Sequence, residues 1–247
     1  MKLVHILFAT LLLTGCASNP HSNPKDPFES YNRSIFKFND ALDKNVLKPV
    51  AQGYNAVLPK PVKIMLHNFF SNLDDVAVTL NELLQLKFRL AASDGIRVIF
   101  NSTFGIFGLI NVTDRLEKHN EDFGQTLGYW GIGSGPYLML PFFGPSSIRD
   151  GVGLYGDGLS SVIVNTRDVP TRNSAYVVNK IDDRAELIQN ENVLDDAADR
   201  YAFIRDFYLA RRQNLVYDGN PPREKYIDEE DNEPSPEHSS VLTQPLK

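Results

Sequence analysis

The sequence predicts an all-α fold in a single domain, and three observations carry that prediction. Apolar residues recur at helical spacing far more often than they alternate. Glycines and prolines divide the apolar stretches into several short helices. No convincing run of strands appears.

Along the chain, Phe28, Tyr31, Ile35, Phe38 and Leu42 repeat every three or four residues and predict the first helix. Val62, Met65, Leu66 and Phe69 form the next stripe, after Pro59 and Pro61, whose fixed φ suits a first helical turn. Asp74-Asp75 are expected to start a further helix carrying Val76, Leu80, Leu83 and Leu84, and Asp94 to cap one running through Asn101. The clearest pattern is Leu194, Ala197, Ala198, Tyr201, Ile204 and Tyr208, with Asp195, Asp199, Arg205, Arg211 and Arg212 elsewhere on the wheel. Acids early and bases late there suit the helix dipole. Gly95 to Val112 is strongly apolar but interrupted by Arg97, Asn101, Ser102 and Thr103, while Tyr137 to Phe143 and Val152 to Val164 are further apolar segments in glycine-rich surroundings. None reaches the ~18–20 uninterrupted apolar residues of a spanning helix. Core helices and helices lying in a bilayer interface both remain open for them.

Composition narrows the function. Of 247 residues, 25 are Lys or Arg and 31 Asp or Glu, a net charge of −6 that argues against nucleic acid as a partner. The apolar fraction of 42% is enough for one sizeable core. A single cysteine excludes an internal disulfide and a cysteine-based zinc site. Its position supplies another use. Lys2 followed by the short apolar run Val4 to Leu13 reads as a secretory signal, residues 1–15. Leu13-Thr14-Gly15-Cys16 resembles the bacterial lipobox, which implies cleavage after Gly15 and acylation of Cys16. Three acyl chains, at ~0.8 kcal/mol per buried CH₂, anchor a protein stably. Ala17, where an Asp would resemble an inner-membrane retention signal, points to the outer membrane facing the periplasm. Residues 16–25 then form a flexible tether, 26–218 the folded body, and 219–247 an acidic tail with seven acids against three bases. Removing the tail's −4 and the +1 of Lys2 leaves −3 on the rest.

No enzyme chemistry assembles. Outside the signal, His21 and His238 sit in the tether and tail, and His67 and His119 lie far apart in the body, so none forms an HExxH-type metal motif. There is no GxSxG elbow or phosphate loop. Gly151, Gly153 and Gly156 satisfy GxGxxG but follow no apolar strand, and close helix packing or a membrane-facing surface explains them better. The pairs Asp74-Asp75, Asp182-Asp183 and Asp195-Asp196 are sequence neighbours that cannot face each other on a helix, so capping and solvation are the expected roles. No catalytic residue, cofactor or metal is expected.

A family resemblance gathers these pieces. Asp26-Pro27-Phe28-Glu29 with Asn32-Arg33 and Phe36-x-Phe38-Asn39, then Pro49-Val50-Ala51 with Tyr54, Asn68-Phe69-Phe70-Ser71-Asn72-Leu73 and Asn81-Glu82-Leu83-Leu84-Gln85-x-Lys87 resemble the MlaA (VacJ) family of outer-membrane lipoproteins. Arg97-x-x-x-Asn101-Ser102-Thr103, Glu121-Asp122-Phe123-Gly124-Gln125-Thr126-Leu127-Gly128 and Gly131-x-Gly133-x-Gly135-Pro136-Tyr137-Leu138-x-Leu140-Pro141 with Gly144-Pro145-Ser146-x-x-Arg149-Asp150 continue the match. It covers about Asp26 to Leu215. The resemblance implies a ring-shaped helical protein in the inner leaflet of the outer membrane, with an amphipathic channel and trimeric porins as partners. Its implied role is to remove phospholipid that has strayed into the outer leaflet and pass it to a soluble periplasmic carrier, with no bond made or broken.

Such a path needs polar groups for a headgroup beside apolar surface for acyl chains. Arg149 and Asp150, just beyond the apolar Tyr137 to Phe143 with its Phe142-Phe143 pair, are candidates to meet a phosphate, or else an ion pair closing a helix start. Arg97 and Asn101, one helical turn apart, are weaker candidates for the polar stripe. The alternatives are a structural lipoprotein scaffolding porins or other envelope proteins, and a periplasmic lipase.

Overall fold

The computed structural model describes residues 23–188, 191 and 197–222, so Cys16, the signal and most of the tether and tail lie outside the described residues. Among the described residues eight α-helices and one β-hairpin follow in order: α1 (Glu29–Leu42), α2 (Lys48–Val57), α3 (Lys60–Leu84), α4 (Phe88–Thr103), α5 (Phe123–Tyr129), β1 (Tyr137–Leu140), β2 (Gly144–Ser147), α6 (Ile148–Ser160), α7 (Val169–Leu187) and α8 (Arg200–Val216). One π-helical turn, Asp43–Leu47, joins α1 to α2. The fold is therefore predominantly helical, and no described helix is long and apolar enough to cross a membrane.

Four local expectations are corrected. Asp74-Asp75 starts no helix: α3 runs unbroken from Lys60 to Leu84, because no breaker intervenes and Asp75 turns inward to Arg97 (3.3 Å) and Lys118 (3.1 Å). Asp94 caps nothing either; it lies buried within α4, which begins at Phe88. The Gly95 to Val112 stretch leaves the helix at Thr103, and left-handed Ile106, Phe107 and Gly108 form the turn that follows. The last helix begins at Arg200, so Ala197 and Ala198 precede it and Leu194 lies outside the described residues. Its start is set by Asp199, whose carboxylate accepts the Ala202 N–H at 3.2 Å.

The apolar Tyr137 to Phe143 is not a helix. Tyr137–Leu140 pairs antiparallel with Gly144–Ser147, Tyr137 opposite Ser147 and Leu140 opposite Gly144. A two-stranded sheet leaves one edge of β1 with unmet backbone groups, and two asparagines of α1 take the place of a third strand. Asn32 donates to the Tyr137 carbonyl (3.1 Å) and accepts the Met139 N–H (2.8 Å). Asn39, two turns on, donates to the Leu140 carbonyl (2.9 Å) and accepts the Phe142 N–H (2.9 Å). The Lys25 carbonyl, at the end of the tether, accepts the Tyr137 N–H at 3.0 Å. Tyr137, Met139 and Tyr201 form the apolar centre, with Ile35, Phe36, Tyr208 and Leu209 packed around it.

The GxGxxG glycines lie on α6 and serve helix packing. A Cβ on Gly153 would sit 2.7 Å from the Gly124 nitrogen and 2.8 Å from its Cα, so α5 and α6 touch backbone to backbone. Asp182 is buried against the Tyr54 hydroxyl (2.7 Å) and His67 (3.1 Å), a role that capping and solvation did not anticipate.

Candidate functional site

Burial runs opposite to a water-facing protein over much of the chain. On α4 the inward row is Ala91, Asp94, Arg97 and Asn101, while Ile96, Ile99 and Phe100 face outward, continued past its end by Phe104, Ile106 and Phe107. Phe107 is 75% exposed. Those six outward side chains alone leave on the order of 5–10 kcal/mol of transfer free energy unrealised in water. A patch of this kind marks a surface that meets lipid or another protein.

Inside, polar groups meet one another. Arg97 contacts Asp75 and Asp94 and donates to the Leu116 carbonyl at 2.8 Å, and Asn101 accepts the Val112 N–H at 2.9 Å. Two motifs that are remote in sequence join here. Gln85 donates to Glu121 (2.8 Å) and Thr126 (3.1 Å), Thr126 donates to Asn81 (2.9 Å), and Lys87 reaches Glu121 (2.9 Å). Beside them, burial first and the neighbouring Asp94 charge second push Glu82 up to about 8.

The cavities begin beside this network, Glu121 lining one of them together with Leu73, Ala77 and Val78 of α3. The largest, about 860 Å³, has apolar walls that include Phe143, Leu154, Tyr155, Ile163 and Leu215, and polar groups that include Lys180, Arg211 and Arg212. A second, about 510 Å³, shares Phe143 and Lys180 with it and extends past Phe142 to Arg184 and Arg200. A third, about 530 Å³, lies behind Arg149 and the glycine loop 131–135. Asp150, Tyr208 and Arg212 line both this third cavity and a 320 Å³ pocket that also touches Phe142 and Phe143.

This shared wall is an ion cluster. Asp150 accepts from Tyr208 (2.6 Å), Arg212 (2.8 Å) and Arg149 (3.0 Å), and its own N–H donates to the Ser147 hydroxyl (3.1 Å) that caps α6. Burial alone would raise its pKa; Tyr208 and Arg212 outweigh that and hold the carboxyl below its usual range. Arg212 holds Asp122 low in the same way, again against burial. Asp157, which accepts the Phe123 N–H at 2.7 Å, is pushed up to about 6 because burial dominates there.

The predicted residues separate into groups. Arg149 and Asp150 do pair and do close the start of α6, both largely buried. Phe142 and Phe143 stand exposed at the hairpin tip, with Phe142 edge-on to Phe38 at 5.3 Å, and Tyr137 lies beneath them in the core. Arg97 and Asn101 line none of the four cavities and belong to the α3–α4 interface. Arg211 was missed as a candidate: it is exposed, as its place on the helical wheel suggests, but it stands at the rim of the largest cavity with no ion pair among the described residues. Arg212, beside it, joins three of the cavity walls. Chemically, a guanidinium beside apolar walls can take an anionic headgroup and its chains together.

Comparison with known proteins fits this geometry. The family model described as MlaA lipoprotein matches residues 24–215. The intermembrane phospholipid transport system lipoprotein MlaA of Escherichia coli (strain K12) is 32% identical over 229 residues, covering 89% of this chain and 90% of its own. The protein of the same name from Haemophilus influenzae is 31% identical over 223 residues, covering 86% and 89%. A chain solved in work on the structural basis for maintenance of bacterial outer membrane lipid asymmetry is similar at a TM-score of 0.69 and 31% identity, covering 77% of this chain and 98% of that one.

Proposed function

The chain belongs to the MlaA lipoprotein family, and from that premise we propose that it removes misplaced phospholipid from the outer leaflet of the outer membrane and passes it to a periplasmic carrier. The observation that carries this reading is the amphipathic cavity, where Arg211 and Lys180 border apolar walls. A phosphate taken into such a space meets a guanidinium without leaving its acyl chains in water. The apolar outer face of α4 supports embedding at a membrane surface, and the lipobox at Cys16 supports anchoring there. Phe142 and Phe143, exposed at the hairpin tip, are the proposed contacts for acyl chains, and the Arg149–Asp150 pair supports a fixed polar wall behind them. A trimeric porin is the proposed partner in the membrane. No bond changes; the work is desolvation and transfer.

The test is outer-leaflet phospholipid in a deletion strain complemented with wild type, Cys16→Ala, Arg149→Ala or Arg211→Glu. Deletion is expected to raise outer-leaflet phospholipid and detergent sensitivity, and Arg211→Glu to restore asymmetry poorly while the protein accumulates normally. Intact asymmetry in the deletion strain points to the scaffold reading, and release of fatty acid from phospholipid by the purified chain to a lipase. Full rescue by Arg149→Ala removes that residue from the path.

A further inference from the structure

Between α3 and α4 carboxylates outnumber the cations that reach them. Asp75 is served by Arg97 (3.3 Å) and Lys118 (3.1 Å). Glu82, two turns further along α3, is fully buried against the Asp94 carboxylate, and neither of its oxygens receives a hydrogen bond from an N–H or hydroxyl donor among the described residues. Asp94, equally buried, leaves Oδ1 without a hydrogen bond, its nearest cation being the Arg97 already paired with Asp75, at 3.5 Å. Both carboxylates face one imidazole nitrogen: His119 Nδ1 lies 2.7 Å from Asp94 Oδ2 and 3.8 Å from Glu82 Oε1. Lys87, the next cation, is held by Glu121 (2.9 Å) and Asp218. Two buried carboxylates with free oxygens and one imidazole thus converge with one ligand atom from each within 4.8 Å of the others.

We propose that Glu82, Asp94 and His119 bind a divalent metal ion of the zinc class. Ligands ~2.0–2.2 Å from such an ion stand about 3.3 Å apart in tetrahedral geometry, which these three atoms reach by side-chain adjustment alone. Imidazole with carboxylates suits zinc or a neighbouring transition ion, whereas calcium and magnesium favour all-oxygen shells. The ion supplies the positive charge that the two carboxylates lack, and it does so where an uncompensated charge is costly. Its structural effect is on the loop. His119 is the only one of the three outside a helix, and the residues just after it, Asn120, Glu121 and Asp122, line the largest cavity. Metal binding therefore clips that wall to the α3–α4 pair. Metal binding of this kind requires no lipid and can be measured without it.

The full chain, purified in detergent without a polyhistidine tag, is stripped with chelator and titrated with buffered Zn²⁺, Mg²⁺ or Ca²⁺, reading bound metal per chain and Tm. Wild type is expected to take up about one Zn²⁺ and to gain several degrees in Tm. Glu82→Gln and His119→Gln are expected to weaken uptake on the order of 100-fold or more, and His67→Gln to leave it unchanged. The zinc-dependent rise of wild type is read without any variant, so a variant that fails to fold does not blunt the test. No saturable zinc uptake by folded wild type, equal uptake in His119→Gln, or preference for Ca²⁺ or Mg²⁺ overturns the proposal. So does wild type that ignores zinc while Glu82→Gln raises the Tm of the stripped chain, a result that identifies a proton shared between the carboxylates.

Discussion

Replacing Arg212 with methionine tests whether the ion cluster holds the cavity wall together. The guanidinium bridges Asp122 (3.0 Å) and Asp150 (2.8 Å) from a side chain only 11% exposed, and methionine keeps much of the volume while removing the charge. Removing one partner of a buried pair costs about 3–5 kcal/mol, because the other is left charged in low dielectric. Asp150 keeps Tyr208 and Arg149, whereas Asp122 keeps only Gln125, through its N–H (2.8 Å) and side chain (3.2 Å). The expected loss therefore sits near the lower end, about 3 kcal/mol, or roughly 6–12 °C in Tm for a domain of this size. Thermal unfolding of the full chain in detergent, followed by far-UV circular dichroism, measures it. The pH dependence gives a second constraint. Both carboxyls titrate below 3.8 when folded, so the stability they contribute is complete above about pH 4 and is lost as pH falls through their lowered values. The gap between wild type and variant should be widest near neutrality and close in acid. A loss under about 0.5 kcal/mol, or an equal loss at pH 3 and pH 7, would refute the cluster's role.

Asp157→Asn should act in the opposite sense. With the folded carboxyl near 6 against 3.8, wild type loses stability as pH rises through that window, so the variant should gain about 1–2 kcal/mol at pH 7–8, after discounting for partial exposure, and nothing below pH 4. Gly153→Ala should cost about 1–3 kcal/mol by pressing on the Gly124 backbone, while Gly158→Ala, with open space around it, should be neutral or slightly stabilising; paired denaturant titrations check both. Ile99, Phe100 and Phe104 changed together to Ser should leave helix content unchanged and reduce recovery with phospholipid vesicles on flotation.

The first helix is legible in the sequence because it depends on local spacing, whereas the start of the last one was not: the apolar stripe runs back to Leu194, but the helix begins only after Asp199 caps it. The outward apolar face of α4 was legible only as an ambiguity. The α4 stripe announces two faces, but periodicity does not say which one meets solvent, and an outside made of water would have turned Ile96, Ile99 and Phe100 inward. The hairpin was hidden for another reason. Tyr137 to Phe143 is a strand and its turn only because Asn32 and Asn39, about a hundred residues earlier, complete its hydrogen bonds. Glu82, Asp94 and His119 likewise share no motif spacing and meet only through tertiary packing.

The inverted burial of α3 and α4 also decides which medium makes the fold worth adopting. In water, closing those helices hides carboxylates and amides that were well solvated and leaves phenylalanines and isoleucines wet, so the usual driving force is largely missing. Against hydrocarbon the signs reverse: the outward face is already at home, and the interior hydrogen bonds have no competing solvent. Stability measured in plain buffer and in lipid should thus differ for this chain far more than for a protein with an oily centre, so that under the proposed function the arrival at a membrane becomes part of the folding reaction.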